Sequence, residues 1–167
     1  MGKIVVDADA CPVKEQISEA AVRFGVPVWM VSSYDHCLPE LPGVTNVQVD
    51  AGNQSVDLYI ANRLHAGDVL VTGDYGLAVI GLAKRCTVLS PRGTSFTNAN
   101  IDRLLAERHA SAKMRRAGGR TKGPRRFTAE DRDSFLQALT KVLSGMQEIE
   151  AGNANNSNAN SEIGDQA

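Results

Sequence analysis

Ile4-Val5-Val6-Asp7-Ala8-Asp9 decides the fold. An apolar run short enough for a strand delivers two carboxylates to its carboxyl end, and Pro12 then suits the first position of a helix, where a missing N–H costs nothing. Val13, Ile17, Ala20, Ala21 and Phe24 recur at helical spacing, and Gly25 with Pro27 stops the run. The same arrangement returns at Val69-Leu70-Val71-Thr72-Gly73-Asp74, a second apolar strand ending in an acid. In an open α/β sheet the carboxyl edge of the strands is where ligands bind.

Outward from these two strands the alternation continues. Val26 to Val31 is apolar throughout, as expected of a strand covered on both faces. Ser32 to Val44, with Pro39, Pro42 and Gly43, reads as a loop before a short strand at Val47 to Val49. Ser55 is a candidate N-cap for a helix with Val56, Ile60 and Leu64 on its inward face. A helix over Leu77 to Lys84 and a strand over Thr87 to Leu89 follow. Thr97 opens a helix carrying Ile101, Leu104 and Leu105. Thr128 with Asp131 three residues on has the form of a capping box, ahead of an apolar stripe at Phe135, Leu136, Leu139 and Val142. The pattern predicts a three-layer α/β/α sandwich around a central, mainly parallel sheet, in one domain over residues 1–145. The Asn-, Ser- and Gly-rich tail, residues 146–167, has almost nothing to bury from Ala151 onward and is expected to be disordered.

The 167 residues, 43% hydrophobic and 22% charged, suit one globular domain, and no run reaches the ~18 apolar residues of a membrane span. The start of the chain has one Lys and then a strand pattern, which is not the form of a signal peptide. Cys11, Cys37 and Cys86 are odd in number and contain no C-x-x-C pair, so the expected compartment is the cytoplasm. The net charge of −1 conceals an uneven distribution: nine of the 18 Lys and Arg residues lie between Arg103 and Arg126, beside the single acid Glu107. Such a run is either a contact for a phosphate-rich polymer or a solvated helix face.

If Ala8 stays extended, Asp7 and Asp9 point the same way, and Asp74 ends a strand expected to lie alongside. Asp57, early in the helix after the third strand, is placed to lean over the same edge. Like charges so close raise one pKa strongly unless a proton or cation intervenes. An all-carboxylate set suits Mg²⁺ or Mn²⁺, which retain waters and take substrate phosphate as further ligands. The plainer alternative is that the acids are independent helix caps and turn residues.

These stretches carry a resemblance. Val6 to Val13, the Asp57 region, Asp68 to Asp74 and Ser90-Pro91-Arg92-Gly93 resemble the YaiI/YqxD family of bacterial proteins, which is allied to PIN-like nuclease domains. Asn100-Ile101, Arg108, Arg115, Gly118, Gly123-Pro124, Asp131-Arg132 and Phe135 extend the match, which covers about residues 3 to 143. The resemblance implies a PIN-like fold in which acids at strand ends bind Mg²⁺ or Mn²⁺ and direct water at an RNA phosphodiester. Carried across, it marks Asp7 and Asp74 as core metal ligands with Asp9 and Asp57 as partners, and Asp7, Asp9 and Asp74 as catalytic. Cys11-Pro12 departs from the ordinary PIN pattern, which suggests a different substrate.

Other residues carry weaker signals. Arg92 is placed either to grip a phosphate as a planar fork or to pair with Asp57. Arg108, Arg115, Arg116, Arg120 and Lys122 are the remaining candidates for contact with a nucleic-acid backbone. The run from Lys113 to Arg126 has only Phe127 as an aromatic neighbour, which favours backbone contact over base stacking. Thr72 is either a donor towards the metal site or simply a β-former. Cys11 reads as a buried structural thiol, and His36, His65 and His109 as surface or core filler.

Three functions compete. The first is an Mg²⁺- or Mn²⁺-dependent ribonuclease. The second is a nucleic-acid or nucleotide binding module without turnover. The third is a phosphatase with Asp7 as nucleophile, which lacks the expected second acid after Asp74, where Ala78 and Val79 stand.

Overall fold

A computed structural model describes residues 2–34, 36–50, 53–123 and 125–162. Its strands are β1 (Ile4–Asp7), β2 (Val28–Ser33), β3 (Val44–Val49), β4 (Val69–Val71), β5 (Thr87–Leu89) and β6 (Ser95–Phe96). Between and after them run α1 (Lys14–Phe24), α2 (Asn53–Arg63), α3 (Tyr75–Ala83), α4 (Ile101–Arg116) and α5 (Ala129–Glu162). The sheet order is β3-β2-β1-β4-β5-β6, with every neighbouring pair parallel except β5 and β6.

Period-two alternation divides the core into two layers. Ile4, Val6, Val69 and Val71 face one cluster, which also holds Ile17 of α1 and Phe135 and Leu139 of α5. Val5 and Leu70 face the other, with Ile60 of α2, Leu77 of α3 and Ile101 of α4. Helices therefore cover both faces, and the chain is an α/β sandwich of three layers. The connections after β1 run outward to β2 and β3; β4 then returns to the other side of β1. The order reverses between β1 and β4, where the loops leaving the two strands part and open a crevice at the carboxyl edge.

Several boundaries differ from those read off the sequence. Pro12 lies in the turn before α1 rather than in its first turn, while Gly25 does close that helix in the left-handed conformation at φ 66°. β2 ends two residues later than expected, at Ser33, and β3 begins three earlier, at Val44, because the pair extends in register as far as Ser33 and Val49. α2 starts at Asn53, so Ser55 is inside it and not its cap. Thr97 to Asn100 form a turn held by side-chain bonds, and α4 starts one turn later. The Thr128–Asp131 capping box forms as read: the Thr128 amide donates to Asp131 Oδ2 at 2.9 Å, and the Asp131 amide to Thr128 Oγ1 at 3.2 Å.

The segment expected to be disordered from residue 146 continues α5 as far as Glu162; residues 163–167 lie outside the described residues. From Gln147 to Ser157 every side chain is exposed, so this part packs against almost nothing. Adding residues to an existing helix costs no new nucleus, which lets the backbone propagate past its apolar stripe.

β5 is joined to α5 by a tight contact. A Cβ on Gly93, at φ 86°, would stand 2.8 Å from the Ser134 carbonyl oxygen. Only glycine combines that backbone conformation with so close an approach.

Candidate active site

Asp7 is the last residue of β1, and the Thr72–Asp74 turn follows β4, so the two strands on either side of the crevice supply the acids. A cavity of about 320 Å³ opens there, lined by Asp7, Asp9, Asp57 and Asp74, with Arg108 of α4 at its side. The four sequence-predicted acids do converge on one site. Nothing in the hydrophobic patterning alone required Asp57 to join them; the packing of α2 across β1 and β2 puts it there.

Each carboxylate is held differently. Asp7 Oδ2 accepts the Thr72 hydroxyl at 3.2 Å, and Thr72 Oγ1 in turn accepts the Asp74 amide at 3.0 Å. Asp74 caps α3, its Oδ1 accepting the Leu77 amide at 3.0 Å. Asp9 leans the other way, towards β2: its Oδ1 accepts the Ser33 amide at 3.0 Å and lies 3.3 Å from His36 Nδ1. Asp7 and Asp9 are thus drawn apart sideways, towards β4 and β2. Of the plainer alternative, the acids as independent helix caps and turn residues, the structure shows a cap at Asp74, which caps α3 with one oxygen, whereas Asp9 bonds across to β2 and not to the helix that follows it. A carboxylate has capacity for more than one partner.

The electrostatics concentrate on Asp7. Burial raises its carboxyl to about 6, the charge of Asp57 adds to the rise, and Asp9 and Asp74 contribute less; the Thr72 hydrogen bond opposes them. Burial, then the charge of Asp74, also raises Asp57. The pocket therefore holds more negative charge than it easily tolerates, and a proton or a cation relieves it. Among the described residues, no three His, Cys, Asp or Glu side chains are grouped tightly enough to cage a metal ion by themselves.

The basic candidates separate. Arg108 reaches the acidic cavity and lies over the Tyr75 ring, 5.5 Å from its centroid. Arg115 lines an adjoining cleft with Arg108 and Tyr75 and donates to Thr121 Oγ1 at 3.1 Å. Arg116, Arg120 and Lys122 are exposed at and beyond the end of α4, where cations also complement the helix dipole. Arg92 does not pair with Asp57. It donates to Asp131 Oδ2 at 2.8 Å and to the Arg125 carbonyl at 2.5 Å, because the capping box of α5 lies closer to the β5 end than α2 does. Cys11 is buried and its thiol pushed up, first by burial, in keeping with a structural role.

Two neighbours of the site carry no signal of their own in the sequence reading. His36, which reads there as filler, stands beside Asp9. Tyr75 follows Asp74 directly and lines the clefts on either side; its place in the second strand-end turn is the available signal.

Residues 5–145 match the family described as "Uncharacterized BCR, YaiI/YqxD family". The chain belongs to this family. Its similar relatives include a UPF0178 protein of Halalkalibacterium halodurans, 51% identical over 142 residues, covering 85% of this chain and 90% of the relative. A UPF0178 protein of Bacillus cereus is 46% identical over 143 residues (84% and 98% of the two chains), and one of Bacillus velezensis 46% over 147 (87% and 88%). No solved structure matches the chain. None of these family or protein descriptions names a reaction, so the chemistry is argued from the site. No helix among the described residues is long and apolar enough to cross a membrane.

Proposed function

We propose that the protein is a divalent-cation-dependent nuclease that hydrolyses RNA phosphodiester bonds at the carboxyl edge of β1 and β4. The observation that carries this reading is the cavity where Asp7, Asp9, Asp57 and Asp74 meet at the switch point, with the cationic Arg108 alongside. Its all-oxygen donor set suits Mg²⁺ or Mn²⁺. The lack of a closed cage is no obstacle, since Mg²⁺ is commonly held by one or two carboxylates, waters and substrate phosphate. Asp7 and Asp74 would be the core ligands, with Asp9 and Asp57 as their partners. What the bound ion supplies is Lewis acidity towards the phosphodiester oxygens and a counter-charge for the carboxylates.

The chain's own groups do the rest. Thr72 fixes the Asp7 carboxylate, and the Ser33 and Leu77 amides fix those of Asp9 and Asp74, so the acids that orient the attacking water are held before substrate arrives. Arg108 offers a planar fork to a phosphate oxygen, and Arg115, Arg116, Arg120 and Lys122 extend the positive surface for the strand. Arg92, held by Asp131, contributes charge from a fixed position. Three free cysteines are in keeping with a reducing cytoplasm.

The test is cleavage of single-stranded RNA in Mn²⁺ by wild type and by Asp7→Asn. Loss of cleavage with an intact fold is expected, and equal cleavage overturns the assignment. A second reading, a binding module without turnover, draws on the amide bonds to Asp9 and Asp74 and on the open donor set. It requires salt-sensitive RNA binding that survives chelation and no products at any metal concentration.

A further inference from the structure

A second cleft, of about 600 Å³, adjoins the acidic cavity. The two share Ala10 and Gly73, and the consecutive residues Asp74 and Tyr75 line one each. Its chemistry is different. Tyr75 and Phe96 meet edge to face with ring centroids 5.5 Å apart, and Phe127, also in the lining, has the Arg92 guanidinium 5.3 Å and the Arg132 guanidinium 5.1 Å from its ring centroid. Phe96 is buried, whereas Tyr75 and Phe127 are half-buried, and the Arg108 guanidinium lies 5.5 Å from the Tyr75 centroid. Asp131 and the Arg125 carbonyl hold the Arg92 guanidinium in this position.

We propose that this cleft is the subsite for one unpaired nucleobase of a single-stranded RNA whose phosphodiester lies over the aspartates. The proposal rests on the nuclease reading and adds to it the substrate form. The volume is within the range of small-ligand pockets and accommodates a flat heterocycle. Aromatic rings and a guanidinium plane are the surfaces on which single-stranded bases stack. Because Asp131 already holds Arg92, little ordering is lost when a base arrives. A base in a duplex would have to leave its stack to enter, so the subsite selects single strands.

The test compares hexameric adenylate RNA with the same backbone carrying abasic riboses throughout, by fluorescence anisotropy in Ca²⁺. Wild type is expected to bind the base-bearing strand about ten-fold more tightly, as one base–aromatic stack would give. Phe127→Leu and Tyr75→Leu keep apolar volume while removing a ring, and each should shrink that ratio towards one. Equal wild-type affinities, no binding of either strand, or a ratio untouched in both folded variants overturns the proposal. The wild-type ratio decides even where a variant fails to fold. It is also independent of turnover: wild type that binds with the expected ratio but never cleaves in Mn²⁺ retains the subsite and refutes the nuclease.

Discussion

Thr72 donates its hydroxyl to Asp7 Oδ2 at 3.2 Å across the boundary between β1 and β4. Fully buried, it also accepts the Asp74 amide, so one side chain ties together the acids of two strand ends. Thr72→Val keeps the volume and deletes both bonds. Stability is expected to fall by about 1–2 kcal/mol, as a buried amide loses its partner. Loss of a bond to the charged form should also raise the Asp7 carboxyl beyond about 6. Urea unfolding and carboxyl NMR titration read the two effects, and a variant unchanged in both contradicts the coupling.

Asp7 itself makes stability depend on pH. Its carboxyl stands at about 6 in the folded chain against 3.8 for the ordinary group, so between those values the folded state holds more proton. Stability is therefore full below the lower value and declines as pH rises through the upper one, by on the order of 3 kcal/mol. Asp7→Asn stays neutral and should melt several degrees above wild type at pH 7.5 without divalent ions, with little difference at pH 3.5. Added Mn²⁺ should raise the wild-type melting temperature and leave the variant's unmoved. A variant less stable than wild type at pH 7.5 would count against a strained carboxylate.

Asp131 has the opposite sign. The Thr128 amide first, then the Arg125 and Thr128 side chains, hold its carboxyl below the usual range against the effect of burial. What it contributes is present above the ordinary carboxylate range and lost as pH falls through the lowered value. Asp131→Asn should melt earlier than wild type at pH 7, with the gap closing below about pH 4. A gap independent of pH would show that the charge is not what matters.

Arg108 and Arg115 sit near the proposed phosphate path, Arg116 and Arg120 at the far end of the same basic surface. Arg108→Ala is expected to weaken single-stranded RNA binding several-fold and to flatten the slope of log affinity against log salt by roughly one contact. Arg103→Ala, which removes an exposed ion pair with Glu107, should change neither. Titrations at several ionic strengths compare them, and equal slopes would remove Arg108 from the interface.

How far the site can be read in advance follows from the kinds of signal involved. Val5 to Asp7 and Leu70 to Asp74 are legible because apolar runs ending in acid report strand and edge together. The antiparallel β6 is two residues long and has no period to detect. The polar run before Val56 offers several caps, and α2 begins before Ser55. Whether Arg108 or Arg116 meets the acids depends on how α4 docks beside α3, which no local pattern encodes. Arg92 is a choice between partners in the sequence, and its pairing with Asp131 requires knowing that α5 returns to the β5 end.

Gly93 bears on this site without touching it. Its backbone is pressed against Ser134 and Phe135, so any side chain there would push α5 off the sheet. Arg92 precedes Gly93 directly, and its guanidinium reaches Asp131 in the first turn of α5. Gly93→Ala would therefore unseat α5 beside Arg92, while Asp7, Asp9, Asp57 and Asp74 lie outside α5 and away from the clash. On the proposed reading, the cleft that would take a base could thus drift in evolution separately from the acids that would cut the strand.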